Sequence, residues 1–502
     1  MYQLIKSHLD ENRLETLENL KRLPYDARNL WIDKNLKLIL KLFEEEKPRE
    51  KNVWHSIGFV CINDNLYKEA EQIYNLMFTV MRGHRDDFGT AAYYRGIAKF
   101  LQGRHKEAYE DFKIARQFDL HQKKFDAPSS SAMHYMEKTI FPTKEIITRN
   151  HAKLIDDLNT KRQIEYKIGP NVLRTIHKWN SASPLYSHGP SQGGGYFLTL
   201  RGKTGAIKGI AIDPGYDFFD LFREIGFGIA DIDAIIMTHD HDDHTQSVEG
   251  ILSLLAKYND YNHEKKSRVL DIFGSAGALL KFHGLLSATD LFGNREINFK
   301  LLVPGSRITE IEGETLEDKY GFNLKVIPAY HTERWTNQES AVGVVIETSQ
   351  KTADGEFLKI GITGDTRYVK NLGRDYREVQ VLLLNIGSVE KEEGKLLSQH
   401  LGLCGCINLL KEARIGKPLL AILTEFGEEF EGKREVISKI IENWAQPMEG
   451  GQQNILKVVP ADLNLEVRLN DLSIRETDTN VFFSYQKIDI DEGDILKYRF
   501  NG

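Results

Sequence analysis

The hexapeptide His-Asp-His-Asp-Asp-His at residues 239–244 constrains the fold of this chain more than any other segment. Imidazoles and carboxylates this close together are the donors by which proteins bind divalent metal ions. His239 and His241 point the same way in an extended backbone, because side chains alternate along a strand. Residues 233–238 form a mostly apolar run typical of a buried strand. The sequence therefore predicts a metal site where a strand meets a loop, with ligands from His239, His241, Asp243 and His244.

The length and composition indicate a globular protein with more than one domain. The chain has 502 residues, which exceeds what one hydrophobic core usually supports. Hydrophobic residues make up 41% and charged residues 28%, and no segment reaches the ~18 apolar residues that a membrane helix requires. The three cysteines provide no disulfide framework, and residues 1–8 do not resemble a secretion signal. We therefore expect a cytoplasmic protein with no membrane partner.

The charge balance bears on the class of substrate. Acidic residues outnumber basic residues, 73 against 66, which gives a net charge of -7. Proteins that bind nucleic acid broadly usually present a basic surface. The charge therefore does not indicate a nucleic-acid partner. It leaves a phosphodiester substrate open, since bound divalent metals supply positive charge locally.

The first ~160 residues have a helical pattern in which one segment is repeated. Gly58 and Ala70 recur as Gly96 and Ala108, 38 positions later in each case, against the usual ~34 of a tetratricopeptide repeat. Further positions of the pattern are Trp54, Ile57, Cys61, Tyr74 and Met77 in the first copy, and Ala92, Lys99, Phe112 and Ala115 in the second. This region resembles a tetratricopeptide array, and a helical bundle with chance spacing is the alternative. The resemblance implies a protein or peptide partner, because such arrays bind ligands in their groove.

Two domains are expected on this basis. Residues 1–160 form an all-α domain, and residues 161–502 form a second domain in which short strands alternate with helices, which indicates an α/β architecture. Residues 1–46 are expected to add a degenerate helical pair, since isolated repeats cannot bury their faces. A polar hinge is predicted at residues 126–131, followed by a helix over residues 142–159.

Further candidate ligands follow predicted strands of the second domain. They are Asp213 after residues 206–212, His331 after residues 323–330, Asp365 after residues 358–363 and Glu425 after residues 418–424. One polar residue after a strand is ordinary turn chemistry. Several in chain order, together with the hexapeptide, predict a single site built from strand ends.

The motifs of the second domain resemble the metallo-β-lactamase fold, and most closely its ribonuclease Z and phosphodiesterase branch. The matching segments are residues 212–215 (Ile-Asp-Pro-Gly), 238–244 (Thr-His-Asp-His-Asp-Asp-His), 331–332 (His-Thr) and 363–367 (Thr-Gly-Asp-Thr-Arg). The resemblance implies a four-layer αβ/βα sandwich with its metals at one edge.

The resemblance also implies two divalent metal ions, zinc in the first instance, and assigns their ligands. His239, His241 and His331 are implied to bind the first ion, Asp243 and His244 the second, and Asp365 both. Asp213 is implied to orient the site through a hydrogen bond to a ligand imidazole or to the backbone of the hexapeptide.

Position 425 departs from the family pattern, in which the last ligand is usually a histidine within Leu-Thr-His-Phe. Residues 423–426 read Leu-Thr-Glu-Phe, so that a carboxylate replaces an imidazole. A carboxylate is a harder ligand, which shifts the metal preference from zinc toward manganese, iron or magnesium. Either Glu425 binds the second metal, or the second site is weak or empty.

The resemblance implies a reaction as well as a site. His400 lies 25 residues before Glu425, where the ribonuclease Z branch has a histidine that contacts the scissile phosphate. His400 is therefore implied to be a general acid, and a helix-capping or packing role is the alternative. We expect a metal-bridging hydroxide to attack phosphorus, with Asp243 orienting the attacking oxygen and His400 protonating the leaving oxygen.

The substrate is less closely defined by the sequence. Members of the branch that process transfer RNA carry a long arm, in many cases between the third histidine and the bridging aspartate. Only 34 positions separate His331 from Asp365, so we expect small phosphodiesters, cyclic nucleotides or short nucleic acids as substrates. We expect the helical domain to bind a partner or to control access to the site. Two alternatives stay open, namely an acyl, lactone or thioester hydrolase on the same fold, and a partner-binding scaffold with a weakened metal site.

Overall fold

The computed structural model describes residues 51–80, 85–121, 128–160, 164, 169–180, 194–261, 268–287, 297–351, 355–392, 394–413, 419–445, 456–462 and 464–476. These residues divide into two compact units, with the change between Ala152 and Lys153. The expected domain boundary after residue 160 stays a prediction. Among the helices within these ranges, none combines the length and the apolar character needed to cross a bilayer.

The first unit consists of helices. They are α1 (Lys51–Asn63), α2 (Tyr67–Val80), α3 (Arg85–Leu101), α4 (His105–His121), α5 (Pro128–Tyr135) and, after a π-helical turn at Met136–Ile140, α6 (Phe141–Thr160), whose residues from Lys153 onward belong to the second unit. The predicted helix over residues 142–159 therefore matches α6. The predicted polar hinge is wrong from Pro128 onward, because α5 begins there. The helical pair expected within residues 1–46 lies outside the described residues.

The two hairpins α1–α2 and α3–α4 repeat the same packing. A Cβ atom added to Gly58 would lie 2.6 Å from the ring of Tyr74, and one added to Gly96 would lie 2.8 Å from the ring of Phe112. In both hairpins a glycine thus lets a helix approach an aromatic ring of its partner. Ala70 and Ala108 are fully buried in the two hairpins. The sequence repeat is therefore a structural repeat, and the tetratricopeptide assignment stays a prediction.

The second unit contains two large sheets. The first has the strand order β17-β16-β1-β2-β3-β4-β5-β6 and the second has the order β15-β14-β13-β12-β11-β10-β7. The strands of the first sheet are β1 (Val172–Thr175), β2 (Tyr196–Arg201), β3 (Ile207–Ile212), β4 (Ala234–Met237), β5 (Leu270–Gly274), β6 (Ile297–Leu301), β16 (Leu465–Arg468) and β17 (Ser473–Glu476).

The strands of the second sheet follow later in the chain. They are β7 (Arg307–Ile308), β10 (Phe322–Pro328), β11 (Val342–Lys351), β12 (Phe357–Ile362), β13 (Val381–Gly387), β14 (Leu419–Phe426) and β15 (Leu456–Pro460). A small hairpin, β8 (Glu310–Ile311) with β9 (Glu314–Thr315), stands apart from both sheets.

Helices cover the outer face of each sheet. The helices packed on the first sheet are α7 (Phe218–Glu224), α9 (Val248–Tyr261), α10 (Ala276–Lys281) and α11 (His283–Ser287). Those packed on the second sheet are α13 (Gly402–Ala413) and α14 (Arg434–Ala445). Two short helices, α8 (Asp242–Thr245) and α12 (Leu316–Tyr320), follow β4 and precede β10, respectively. One core lies between the sheets and contains residues of both, such as Ile236 and Ile360. Separate cores lie under the helices on each side. The predicted four-layer αβ/βα sandwich is confirmed.

Parallel pairing brings several strand ends to one edge of each sheet. β3 pairs in parallel with β4 in the first sheet, and β12, β13 and β14 pair in parallel in the second. The carboxyl ends of parallel strands lie side by side, so polar residues that follow them meet. Candidate ligands lie at these strand ends: Asp213 follows β3, the hexapeptide follows β4, Asp365 follows β12, and Glu425 is the penultimate residue of β14.

Candidate metal centre

The hexapeptide leaves β4 and enters a short helix. β4 is buried along its whole length and ends at Met237, which places His239 at the edge of the first sheet. His241 has extended backbone angles at the amino end of α8, and Asp243 and His244 lie inside that helix. The change from strand to helix turns Asp243 and His244 away from the direction of the first two histidines, as the sequence spacing indicates.

Four of the predicted ligands form a first cluster. The candidate ligand atoms of His239, His241, His331 and Asp365 all lie within 4.8 Å of one another. His331 Nε2 lies 3.2 Å from His241 Nδ1, while its Nδ1 lies 3.0 Å from the carbonyl oxygen of Gln399. Since a carbonyl only accepts, Nδ1 of His331 carries the proton and Nε2 keeps a lone pair for a metal.

Asp365 faces two clusters with its two carboxylate oxygens. Oδ2 lies 3.8 Å from His239 Nε2 and 3.7 Å from His331 Nε2, and Oδ1 lies 3.7 Å from His244 Nε2. The amide of Asn385, on β13, donates a hydrogen bond of 2.9 Å to Oδ1. This arrangement fits a carboxylate that bridges two metal ions, with Asn385 fixing its orientation.

A second cluster is formed around His244. Its Nε2 lies 2.6 Å from Glu425 Oε1 and 3.7 Å from Asp243 Oδ2. Glu425 is the penultimate residue of β14 rather than a residue after it, and it adopts left-handed backbone angles with φ 57°. The carboxylate that replaces the expected histidine therefore points into the site, beside the imidazole of His244.

Asp213 holds the start of the hexapeptide in place. One of its carboxylate oxygens accepts the backbone N–H of Thr238 and the other accepts the Thr238 hydroxyl, both at 2.7 Å. The same carboxylate lies 3.0 Å from His244 Nδ1. Two residues later, a Cβ atom on Gly215 would lie 1.6 Å from the carbonyl oxygen of Asp243, so only glycine permits this approach.

His400 lies at the same centre but is less enclosed. Its Nδ1 is 3.5 Å from Asp365 Oδ2, and its ring centre is 5.4 Å from that of His331. About 29% of its side chain is exposed, against 5% or less for His239, His244, His331 and Asp365. His400 is thus the imidazole of the centre that a substrate in solvent can reach most easily.

The pKa values of the site residues differ between the first cluster and the second. Burial, reinforced by neighbouring imidazoles, lowers the pKa of His239 well below its usual value and lowers that of His241 to about 4. Burial would also lower the pKa of His244, but the carboxylates of Glu425, Asp243 and Asp213 hold it well above the usual value. Burial raises the pKa of Asp243 to about 7. The first cluster is therefore ready to bind a cation, whereas the second holds protons that a cation must displace.

The residues present fit divalent metal ions. Buried polar atoms are normally hydrogen-bonded, because an unpaired one costs about 1–3 kcal/mol. Within the described ranges, hydrogen-bond partners are missing for His239 Nε2, His244 Nε2, Asp243 Oδ1, His400 Nδ1 and both carboxylate oxygens of Glu425. Imidazole nitrogens and carboxylate oxygens that converge without bonding to one another are the donor set of a metal site.

Three residues near the site carry no prediction from the sequence. Asn385 supports Asp365, and Asp240 accepts the backbone N–H groups of Arg334 and Trp335, at 3.0 and 2.6 Å. His177 lies 3.0 Å from Glu425, between Nε2 and Oε1. The sequence could have indicated His177 in the same way as the other candidate ligands, because His177 comes two residues after the end of a strand, β1.

A comparison with known protein families matches part of the second unit. Residues 209–422 match the model of a family described as the beta-lactamase superfamily domain. The second unit has the metallo-β-lactamase fold. The matched range holds the hexapeptide, His331, Asp365 and His400, and it ends before Glu425.

Several solved structures are similar to this chain at low sequence identity. The metallo-beta-lactamase fold protein YhfI from Bacillus subtilis is 15% identical, and the alignment covers 59% of this chain and 99% of YhfI with a TM-score of 0.40. The short form of human tRNase Z is 14% identical, with 59% and 99% covered and a TM-score of 0.38. The long form of RNase Z from yeast is 12% identical, with 59% and 42% covered and a TM-score of 0.39. No curated protein matches the sequence.

The fold and the ligand clusters together support a metal-dependent hydrolase with divalent ions.

Proposed function

We propose that the protein is a binuclear metal-dependent phosphodiesterase or nuclease. The observation that carries the proposal is the position of His400, whose Nδ1 lies 3.5 Å from the carboxylate of Asp365 while part of its side chain is exposed. The leaving alkoxide of a phosphodiester is a poor leaving group unless it is protonated. An imidazole beside the metal centre and open to substrate is suited to give it that proton.

Two divalent ions held at the centre would acidify water and offset the charge that develops on a transferring phosphoryl group. The protein supplies the remaining functions. Asp365 and Asn385 fix the spacing of the two clusters, and Asp243 orients the attacking water through a carboxylate that is 3% exposed. The water oxygen bonds to phosphorus and one water proton is released to solvent, the bond from phosphorus to the leaving oxygen breaks, and His400 donates its proton to that leaving oxygen.

The substrates that fit are small. β11 and β12 occupy about half of the segment between His331 and Asp365, and residues 352–354 are the only undescribed part of it. A segment of this length carries no long arm for gripping a folded RNA. We therefore propose small phosphodiesters, cyclic nucleotides or short nucleic acids as substrates.

The test uses the full-length protein, stripped with a chelator and reloaded with zinc or manganese. Phosphodiesters (bis-p-nitrophenyl phosphate, cyclic nucleotides, a short oligonucleotide) and acyl substrates (a lactone, a thioester) are compared on one preparation. We expect turnover of at least one phosphodiester that exceeds turnover of every acyl substrate. Protein that holds two metals and cleaves only acyl substrates would instead be an acyl hydrolase. Protein that retains far less than one metal per chain after reloading would instead be a scaffold.

A matched variant identifies the origin of the activity. Asp365→Asn keeps the size of the bridging side chain and removes its charge, so it is expected to lower both metal content and diester turnover. Glu339→Gln, which removes an exposed carboxylate paired with Arg367, is the control and should leave both unchanged. Diester turnover that survives Asp365→Asn in full would come from a contaminant.

We propose in addition that the helical unit binds a protein or peptide. A cavity of about 1090 Å³ opens between α4 and α6, and its lining combines the aromatic Tyr109 and Phe141 with basic and acidic side chains such as Lys144 and Glu145. An aromatic surface with charged neighbours of both signs suits a peptide. Peptides selected from a display library on the wild-type protein should fail to bind Tyr109→Ala, and unaltered binding would contradict this site.

A further inference from the structure

We propose that His177 binds the second metal ion through Nε2, and that it supplies the imidazole that Glu425 replaces. This inference rests on the two-metal centre of the proposed function and not on the identity of the substrate.

The position of His177 is that of a ligand. Its Nε2 lies 3.0 Å from Glu425 Oε1, and its ring centre lies 5.3 Å from that of His244. The ligand atoms of His177, His244 and Glu425 all lie within 4.8 Å of one another, and all three side chains are at most 1% exposed. Three donors that surround a point at such distances can bind one ion together.

The hydrogen bonding of these side chains leaves them free for a metal. In the described part of the chain, neither ring nitrogen of His177 and neither carboxylate oxygen of Glu425 has a hydrogen-bond partner. The 3.0 Å approach between them therefore lacks hydrogen-bond geometry. Buried polar groups that do not bond to each other carry a desolvation cost, and a metal ion between them would offset it.

The backbone fixes His177 beside the end of β14. Its N–H donates to the carbonyl oxygen of Gly195 at 2.9 Å, and its own carbonyl oxygen accepts the Thr424 hydroxyl at 2.9 Å. Residues 178–180 continue this contact, since Phe426 donates to Lys178 and accepts from Asn180. His177 thus reaches the site from a segment that is hydrogen-bonded to the residues on both sides of Glu425.

A ligand at position 177 changes the character of the second site. The site then has imidazoles from His177 and His244, and carboxylates from Asp243, Glu425 and Asp365. Five protein donors, three of them oxygens, exceed the four that zinc usually takes in proteins. Such a set favours manganese or iron, which accept more ligands and more oxygen donors.

The first experiment counts metals in full-length protein. Metal-free wild type, His177→Ala and the control His151→Ala, an exposed histidine of α6, are titrated with manganese and with zinc in the presence of a competing chelator. We expect two ions in the wild type and the control. In His177→Ala, the first ion should stay and the second should bind about 100-fold more weakly or worse, since even loss of an outer-sphere partner costs about 10–100-fold. Retention of the first ion, held by His239, His241 and His331, shows that the variant is folded.

The second experiment separates direct binding from mere support of Glu425. His177→Cys places a thiolate at the same position, and the cobalt-loaded variant should show a thiolate-to-cobalt charge-transfer band that wild type, with its three native cysteines, does not show. His177→Gln keeps a hydrogen-bond donor near Nε2 but not an imidazole. Full second-site affinity in His177→Gln, with no new band in His177→Cys, would make His177 a positioning residue and overturn the proposal.

A wild-type measurement covers the case in which the variants do not fold. In the cobalt-loaded wild-type protein, imidazole N–H protons of bound histidines appear as hyperfine-shifted exchangeable signals. Ligation by His239, His241, His244, His331 and His177 predicts at least five of them. Fewer than five would contradict the proposal. Wild type that binds a single ion would contradict the two-metal centre itself, whereas two ions in both wild type and His177→Ala with equal affinity would contradict only the role of His177.

Discussion

At the scale of single residues, two carboxylates of the centre adopt left-handed backbone angles. Asp213 has φ 47° and Glu425 has φ 57°, although neither is glycine. Such angles cost on the order of 1–3 kcal/mol and occur where the surrounding structure requires them. Both residues are fully buried, and both carboxylates approach His244. The backbone cost is therefore associated with the second cluster, around His244.

The carboxylate of Glu425, which stands where the family has a histidine, should determine which metal ion the second site prefers. Glu425→His replaces a hard oxygen donor by an imidazole, which favours zinc over manganese. We expect the ratio of zinc affinity to manganese affinity at the second site to rise by about tenfold or more. Competition titrations with both metals measure it. An unchanged ratio would show that Glu425 is not a ligand.

The role of His400 predicts a dependence on the leaving group. General-acid catalysis typically contributes about 10²–10⁴-fold, and this contribution is needed only when the leaving oxygen is strongly basic. His400→Ala should therefore slow hydrolysis of a dialkyl or dinucleoside diester by that factor. Hydrolysis of bis-p-nitrophenyl phosphate should slow much less. Equal losses on both substrates, or loss of a metal ion, would contradict a proton-donor role.

The protonation of the two clusters predicts that only the second site depends strongly on pH. The pKa of Asp243 is raised to about 7 and that of His244 is higher than usual, so both hold protons in metal-free protein at lower pH. Metal must displace these protons, and affinity should fall about tenfold per pH unit for each one as the pH falls below about 7. His239 and His241, with lowered pKa values, should leave the first site nearly constant above about pH 6. Chelator competition across this range measures both sites, and parallel pH profiles would contradict the assignment.

At the scale of elements, Asp240 links the hexapeptide to the loop that follows His331. Its carboxylate accepts the backbone N–H groups of Arg334 and Trp335 and is buried, whereas that of Asp242 is 43% exposed and pairs with Lys281. The two aspartates therefore form a matched pair for mutation within one motif.

Asp240→Ala is expected to weaken the first site although Asp240 is not proposed as a ligand. Loss of its two hydrogen bonds frees the loop that positions His331, and supports of this kind typically contribute about 10–100-fold to metal affinity. Asp242→Ala should leave the affinity within about twofold, since exposed ion pairs contribute little. Zinc titrations of both variants provide the measurement. Equal affinities in the two variants would contradict the role of the loop.

The elements also explain which positions of the candidate site can be located from the sequence. His239, His331 and Asp365 follow apolar runs that are buried strands in the structure, and strand ends are recognisable from the pattern of side chains alone. Glu425 is predicted as a residue after a strand but lies within β14. That difference depends on its left-handed backbone, which no side-chain pattern encodes.

At the scale of the whole molecule, contacts between distant segments limit what the sequence can predict. His177 reaches the site because residues 177–180 hydrogen-bond to residues 424–426, which are remote in the chain. No local pattern indicates that pairing. The repeat of the helical unit is recognisable, by contrast, because Gly58 with Tyr74 and Gly96 with Phe112 are local pairs within hairpins.

The central claim is that both clusters bind a metal and that the pair hydrolyses phosphodiesters. The most direct test adds manganese or zinc stepwise to metal-free full-length protein while bound metal and hydrolysis of bis-p-nitrophenyl phosphate are followed in the same samples. We predict that hydrolysis rises until two ions are bound per chain and then stays constant. Hydrolysis that is complete at one ion per chain, or absent with two ions bound, would contradict the claim.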